Sequence, residues 1–302
     1  MSASARIRFV DVAPRDGFQN WSKPVSTEIK ERTVRGLLDA GVELVEATSF
    51  VSPKWVPQMA DAEALLERLG PELLPSLRVL VPNLRGFERA AQAGARRVIV
   101  PISATDGFNL KNLNHRVDES LAEIRAICDS AAGWGVQVDG AVSVAFGCPF
   151  DGRVEPSRTL SVAAALLESG CALVGIADTI GVADPAGVRE LCGEAIRAFG
   201  ADRVAVHFHD TRGLGVANVL AALEVGVVEF EGSLAGIGGC PFAPRATGNV
   251  CSEDVLHMLE LMGHRTGVSM PKMLSLAAWL ADALDTTLPG MLYKAGLEPW
   301  VA

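Results

Sequence analysis

Short apolar, β-branched runs alternate with amphipathic helical patterns at nearly even intervals along this chain of 302 residues. Eight of the runs have the length and composition of buried strands, and they cover residues 7–12, 43–48, 78–81, 97–102, 137–144, 172–177, 203–208 and 228–233. The patterns between them predict helices, at residues 27–40, 61–69, 84–93, 118–133, 157–169, 185–199 and 214–225, with a further helical stretch at 252–262. Strand and helix are therefore predicted to alternate throughout.

The strands read as continuous apolar runs rather than as alternations of apolar and polar residues, which favours a parallel sheet covered by helices on its outer face. Eight strand–helix units in about 260 residues match a closed (β/α)₈ TIM barrel better than a doubly wound sheet. The first helix is not preceded by the GxGxxG sequence of a dinucleotide-binding fold. We expect a single catalytic domain over residues 1–302, with the barrel at about 6–265 and a C-terminal helical extension at about 269–302.

Composition narrows the classes of function. The net charge is −9 and the isoelectric point is near 5.1, so we expect neither nucleic acid nor an anionic membrane as a partner. The apolar runs are too short to span a bilayer, and the first residues lack the apolar segment of a secretory signal. Six cysteines without CxxC spacing are expected to be reduced thiols. A cytoplasmic location is the resulting expectation.

Polar residues occur where the predicted strands end, which is where TIM-barrel enzymes carry their chemistry. The residues in question are Arg15 and Asp16 after the first strand, Glu46 in the second, Asp178 after the sixth, His207 and His209 at the seventh, and Cys240 and Asn249 after the eighth. Side chains alternate along a strand, so His207 and His209 are predicted to project from one face about 7 Å apart. Two imidazoles on one face make half of a metal site.

Four of these residues offer a mixed nitrogen and oxygen ligand set: Asp16, His207, His209 and the amide oxygen of Asn249. Such a set suits Mg²⁺, Mn²⁺ or Co²⁺, and the lack of thiolate argues against structural zinc. The alternative is one core histidine and one surface histidine, with the aspartate and the asparagine serving as turn residues beside Gly17 and Gly248. Both interpretations remain open on these residues alone.

The remaining residues suggest proton transfer and charge stabilisation. Arg15 can aim a guanidinium at a developing oxyanion, although a surface ion pair is the commoner role of an arginine. Glu46 lies in an apolar strand and Asp178 follows one, and a carboxylate is costly there unless Arg15 or a metal-bound water pairs with it. Cys240 lies in a Gly-Gly-Cys-Pro loop, which favours a thiol acid or base over a buried packing cysteine.

Taken together, the motifs resemble those of the 3-hydroxy-3-methylglutaryl-CoA lyase family. The sequence VAPRDGFQN at residues 12–20 resembles that family's PRDGLQN signature, and EATSFVSPKWVPQMAD at 46–61 is similar to its second signature. The match is completed, in family order, by ADTIG at 177–181, HFHDT at 207–211 with Ala217 and Asn218, GGCP at 238–241 and TGN at 247–249. The resemblance covers residues 6–262.

This resemblance implies a TIM-barrel lyase that uses Mg²⁺ or Mn²⁺ to cleave an acyl-CoA thioester, 3-hydroxy-3-methylglutaryl-CoA (HMG-CoA), to acetyl-CoA and acetoacetate by a retro-Claisen reaction. By position it implies metal ligation by Asp16, His207, His209 and Asn249. It also implies that Arg15 stabilises the enolate, that Cys240 acts as acid or base, and that Glu46 and Asp178 orient substrate, water and Arg15. Because family members are often dimers, a homodimer is expected.

Three departures from the family pattern leave the acyl group open. Asp11 stands where the family usually has Glu, Trp21 replaces a Glu, and Arg212 lies beside the metal strand, where it could reach a substrate carboxylate, the CoA phosphates or solvent. A related thioester, such as citramalyl-CoA or a longer branched hydroxyglutaryl-CoA, therefore remains an alternative. A condensing synthase is disfavoured by HxHDT and the Gly-Gly-Cys-Pro loop, and a non-catalytic barrel by the intact ligand set. Lys54, Lys111 and Arg116 are candidate phosphate partners or solvated side chains.

Overall fold

The computed structural model describes residues 6–239 and 248–297. Within these ranges, eight parallel strands close into a barrel in which each strand pairs with its neighbours in the sequence. The strands are β1 (Arg8–Asp11), β2 (Leu44–Ser49), β3 (Leu77–Leu80), β4 (Arg97–Ser103), β5 (Gln137–Ser143), β6 (Val174–Asp178), β7 (Val204–Phe208) and β8 (Glu229–Gly232). The predicted TIM barrel is confirmed, and all eight strands overlap their predicted positions.

Helices surround the barrel and extend it at the C-terminus: α1 (Thr27–Asp39), α2 (Ala62–Leu69), α3 (Leu84–Gln92), α4 (Asp106–Leu113), α5 (Val117–Trp134), α6 (Pro156–Glu168), α7 (Pro185–Phe199), α8 (Gly215–Glu224), α9 (Ser252–Leu261), α10 (Met270–Ala283) and α11 (Leu292–Ala295). Sequence periodicity did not predict α4, nor the short hairpin that joins Gly147–Cys148 to Gly152–Arg153, because neither segment repeats its apolar residues. In the described part of the chain, every helix is too short or too polar to cross a membrane.

The outer face of the barrel carries the main hydrophobic core. On β4, Val98, Val100 and Ile102 are buried in the cluster that includes the surrounding helices. Side chains alternate between the faces of a strand, so Arg97 at the start of β4 points inward, where it pairs with Asp139 of β5. Two faces of one strand therefore have different chemistry.

Ion pairs occupy much of the barrel interior, where branched aliphatic side chains are usual in this fold. Near the amino ends of the strands, Arg8 Nε donates to Glu229 at 2.8 Å and Arg97 pairs with Asp139. Nearer the carboxyl ends, fully buried Arg78 pairs with two carboxylates. Since a buried charge is costly unless paired, the interior depends on complementary partners drawn from different strands.

Candidate metal centre at the carboxyl end of the barrel

A tight turn after β1 presents Arg15 and Asp16 at the mouth of the barrel. Residues Ala13–Gly17 form one π-helical turn, in which the amides of Asp16 and Gly17 both donate to the carbonyl of Val12, at 2.8 and 3.3 Å. Single π-helical turns occur frequently at functional sites. The wide turn places two adjacent charged side chains, Arg15 and Asp16, at the site rather than on opposite faces of a regular strand.

The two histidines of the HFHDT motif lie together at the end of β7. Their ring centroids are 5.1 Å apart, and both side chains are largely buried. A returning segment places Asn249 next to His209 through a backbone bridge. This bridge is flanked by hydrogen bonds from the amide of Asp210 to the carbonyl of Gly248 (3.0 Å) and from Val250 to Phe208 (3.0 Å).

Asp16, His207 and His209 form a cluster with the dimensions of a metal site. Each offers one ligand atom, and these atoms all lie within 4.8 Å of one another. Asn249 Nδ2 donates to Asp16 Oδ2 at 2.8 Å, so the fourth predicted ligand also lies against the cluster. The buried atoms Asn249 Oδ1 and His209 Nδ1 have no hydrogen-bond partner among the described residues. Because unsatisfied buried acceptors are costly, these atoms and this donor set fit a divalent cation.

Electrostatics keep most of this cluster in the form that binds a cation. Burial alone would raise the pKa of Asp16, but the positive charge of Arg15, followed by the histidines, holds that pKa below its usual value. Burial and the neighbouring His207 lower the pKa of His209 to about 3. Burial would lower the pKa of His207 as well, yet its hydrogen bond to Glu231 and the charge of that carboxylate raise it. Asp16 is therefore ionised and His209 neutral near pH 7.

Arg15 is held by carboxylates on two sides. Its Nε donates to Glu46 Oε1 and one terminal nitrogen donates to Asp16 Oδ1. The Glu46 side chain is completely buried, whereas Arg15 keeps 13% of its side chain exposed toward the mouth. The predicted pairing of Glu46 with Arg15 is present, so the guanidinium is fixed at the site before any substrate enters.

Two further charged residues join the site that sequence reasoning had not singled out. Arg78 on β3 donates to Glu46 Oε2 through Nε at 2.8 Å and also contacts Glu231 on β8. The other oxygen of Glu231 lies 3.0 Å from His207 Nδ1. The available signal was that Arg78 and Glu231 fall within the predicted strands 78–81 and 228–233. A charge inside a barrel is costly unless it is paired, so each of these residues implied a partner of opposite charge.

Asp178 lies in the same region, but its partners differ from the expected ones. Its two carboxylate oxygens accept hydrogen bonds from the amides of Val182 (2.9 Å) and Ala183 (3.0 Å), not from Arg15. Burial raises its pKa, and the two backbone hydrogen bonds limit the increase. Of the two predicted partners of Asp178, Arg15 is therefore replaced by the residue's own loop, and pairing with a metal-bound water stays a prediction.

The three departures from the family pattern occupy different surroundings. Arg212 is exposed, yet one terminal nitrogen donates to the carbonyls of Ile180 and Gly181, both at 2.8 Å, so it ties the loop after β7 to the loop after β6. Asp11 is buried and accepts from Ser252 Oγ at 2.6 Å and from the Ala13 amide at 2.9 Å. Burial raises the pKa of Asp11 to about 6. Trp21 packs partly buried against the core.

The remaining candidates lie away from the cluster or beyond the described ranges. Arg116 pairs with Asp106 at 2.6 Å, Lys54 lies over the ring of exposed Trp55, and Lys111 is exposed on α4. Cys240, the predicted acid or base, lies outside the described residues. Its chemical role therefore stays a prediction.

Comparisons with known proteins agree with this architecture. The HMGL-like family model matches residues 6–280. A mitochondrial hydroxymethylglutaryl-CoA lyase of Arabidopsis thaliana is 41% identical over 278 residues, which are 92% of this chain and 59% of that protein. A cytoplasmic 3-hydroxy-3-methylglutaryl-CoA lyase of Danio rerio is 43% identical over 281 residues, 92% of this chain and 83% of that protein. The structure of an HMG-CoA lyase from Acinetobacter baumannii, in complex with coenzyme A and 3-methylmalate, has a TM-score of 0.92 at 35% identity and covers 97% of each chain.

Proposed function

This chain belongs to the HMGL-like family, and on that premise we propose that it is a divalent-metal-dependent lyase that cleaves HMG-CoA to acetyl-CoA and acetoacetate. The observation that carries the proposal is the cluster of Asp16, His207 and His209, whose ligand atoms lie within 4.8 Å of one another beside the guanidinium of Arg15. A metal site next to a fixed cation suits a reaction in which negative charge moves between two oxygens of one substrate.

Asp16, His207, His209 and Asn249 would hold Mg²⁺ or Mn²⁺, the cations that suit oxygen and imidazole ligands with open positions. When bound, the cation supplies Lewis acidity that eases loss of the proton from the tertiary hydroxyl of the substrate. Transfer of this proton to a basic group at the site allows the bond between C2 and C3 to break, and the proton that Cys240 would later give to the enolate carbon balances the reaction overall. The fragment with C3 leaves as the ketone acetoacetate, and the electron pair of the bond passes to the thioester fragment as an enolate.

Arg15 would stabilise the enolate oxygen. Its guanidinium is held by Glu46 and Asp16, so it is oriented before charge develops and little reorganisation is needed during the reaction. Cys240 would then deliver a proton to the enolate carbon, which completes acetyl-CoA; this assignment rests on the family resemblance. Asp178 would act by shaping the loop that follows β6, through its bonds to Val182 and Ala183.

The thioester would enter at the carboxyl end of the barrel. The Acinetobacter baumannii neighbour is described in complex with coenzyme A, and Lys54 and Lys111 are exposed cations of this chain that are available to pair with phosphate. We further propose a single catalytic domain that assembles as a homodimer, which light scattering on the purified protein tests. A cytoplasmic location stays a prediction, since similar proteins are named both mitochondrial and cytoplasmic.

The decisive experiment is a thioester panel with product identification by mass. The purified chain is stripped of metal, reloaded with Mn²⁺ or Mg²⁺, and supplied with HMG-CoA, citramalyl-CoA or a longer branched hydroxyglutaryl-CoA. We expect acetyl-CoA and acetoacetate from HMG-CoA only with metal present, and the highest kcat/KM on that substrate. A higher kcat/KM on another thioester would overturn the assignment of the acyl group. Net condensation with a keto acid would overturn the proposal that the enzyme is a lyase.

A further inference from the structure

A continuous chain of alternating charges connects the two parts of the proposed active site inside the barrel. It starts at Arg15, passes to Glu46, crosses to Arg78, continues to Glu231 and ends at the His207 imidazole. Each carboxylate uses one oxygen for each of its two neighbours. The guanidinium that faces the substrate and one of the metal-cluster histidines are therefore joined through Arg78.

Arg78 is the central member of this chain. Its side chain and that of Glu46 are fully buried, and the side chain of Glu231 is 7% exposed. Burial opposes ionisation of Arg78, but the charges of Glu231 and Glu46 raise its pKa further above the usual value. Among the described residues, Arg78 is the one cation that forms ion pairs with both carboxylates.

The same strands bring these residues into register. Glu46 on β2 lies directly opposite Arg78 on β3, and Glu231 on β8 lies directly opposite His207 on β7. Arg78 therefore reaches across the barrel interior, from one pair of neighbouring strands to the other. On the mouth side, Asp16 lies against both Arg15 and His207, so the chain closes into a ring around the site.

We propose that Arg78 is a positioning residue for the lyase reaction: it sets the Arg15 guanidinium through Glu46 and the His207 imidazole through Glu231. This inference rests on the proposed function for its effect on turnover, and on the metal cluster alone for its effect on cation affinity. Arg78 is fully buried and therefore shielded from solvent, so it acts through these two carboxylates.

A guanidinium suits this position better than an ammonium group. Its planar fork reaches two carboxylates at once, whereas the lysine amine is a compact point charge on a flexible chain. Without the fork, Glu46 and Glu231 would face each other across the interior with no shared cation. Glu46 would then hold Arg15, and Glu231 would hold His207, in an altered geometry. A displacement of about 1 Å at reacting groups costs about 10²-fold in rate.

The test compares Arg78→Met and Arg78→Lys with the double variant Arg97→Met/Asp139→Asn. This control removes an ion pair from the same barrel interior, near the amino ends of the strands and away from the metal cluster; Asp139 is fully buried and Arg97 is partly exposed. Melting temperature, Mn²⁺ affinity by titration, and kcat and KM on HMG-CoA are measured for each protein. Since Arg78→Met leaves two buried carboxylates without the cation that they share, Arg78→Lys is the deciding variant if Arg78→Met does not fold.

For Arg78→Met we expect kcat to fall about 10²-fold and the Mn²⁺ dissociation constant to rise about 10-fold or more, as outer-shell substitutions do. Arg78→Lys should recover part of both losses, with kcat still about tenfold below wild type. In both variants KM should stay within about threefold, since substrate contacts are intact. The control should lower the melting temperature while leaving kcat and Mn²⁺ affinity unchanged.

The two proposals fail in distinguishable ways. If wild type does not cleave HMG-CoA, the proposed function is wrong, and the Mn²⁺ affinities of the Arg78 variants still decide whether Arg78 orients His207. If wild type cleaves HMG-CoA and Arg78→Lys keeps wild-type kcat and Mn²⁺ affinity, the positioning role is wrong. A control variant that loses kcat as strongly as Arg78→Lys would also overturn it, because the effect would then come from general stability.

Discussion

Gly17 permits close packing between the turn that carries Asp16 and the loop that follows β8. An alanine Cβ at this position would lie 2.5 Å from Ile237 Cγ1, 2.7 Å from Ile237 Cδ1 and 3.3 Å from Ser233 Oγ. Carbon atoms in contact are normally about 3.5–4.0 Å apart. The substitution Gly17→Ala therefore requires the new Cβ and the Ile237 side chain to separate by about 1–1.5 Å, through rotation of that side chain or movement of its segment.

This separation should be transmitted to the proposed metal site. Gly17 directly follows Asp16, and the carbonyl of Ile237 accepts a hydrogen bond from Asn249 Nδ2 at 3.1 Å. Ile237 is 1% exposed, so it has little room to move away. We expect Gly17→Ala to lower the free energy of unfolding by about 1–3 kcal/mol, as overpacking does, and to lower kcat by about 10²-fold through displaced ligands.

The assay measures urea denaturation, Mn²⁺ affinity and turnover of HMG-CoA on the same preparations. Gly133→Ala is the matched control, because Gly133 lies within α5 and an added Cβ there has nothing within 4 Å. Gly133 is the penultimate residue of this helix, so alanine there should stabilise the control by at most about 0.5–1 kcal/mol without changing activity. Wild-type stability together with wild-type Mn²⁺ affinity in Gly17→Ala would refute the argument that this contact positions Asp16.

Three further outcomes are expected. His209→Ala should weaken Mn²⁺ binding by about 10²-fold or more with the circular dichroism unchanged, since it removes a direct ligand; unchanged affinity would exclude His209 as a ligand. Cys240→Ser should lower kcat by about 10²-fold or more while Mn²⁺ affinity stays near normal, and loss of metal would instead indicate a structural thiol. Burial raises the pKa of Glu253 from its ordinary value of 4.5 to about 8. The folded state therefore binds a proton that the unfolded state releases, and wild-type stability should fall as pH rises between these values. Glu253→Gln keeps an oxygen for the Ala235 amide, and it should make the free energy of unfolding, measured by urea denaturation, nearly equal at pH 6 and pH 8. An unchanged difference between the two pH values would assign the pH dependence to another group.

The strands and most helices were predictable because their signals are local. Runs such as residues 97–102 and 137–144 are rich in apolar, β-branched residues over the length of a strand, and they form β4 and β5. Helix α4 was missed because Asp106–Leu113 has little amphipathic periodicity and is held by tertiary contacts instead. One such contact is the Asp151 carboxylate, which accepts the Gly107 amide at 3.0 Å.

Part of the candidate site was also predictable, because the order of the strands fixes which residues share one end of the barrel. Residues at the carboxyl ends of parallel barrel strands must meet at one face, so Asp16, His207, His209 and Asn249 could be grouped from their positions alone. Which atoms contact one another could not be predicted. The amides that bind Asp178 belong to its own loop, and the fold of that loop is not encoded in any periodicity.

The sequence by itself determined the barrel, the end of it that carries chemistry and the ligand types available there, because periodicity and strand order are properties of neighbouring residues. Only the tertiary structure decided how charge is arranged inside the barrel. Glu46 and Glu231 are 185 positions apart in the chain, yet both contact Arg78. Whether a buried charge finds a partner depends on side chains that converge from separate strands, and closure of the barrel is what brings them together.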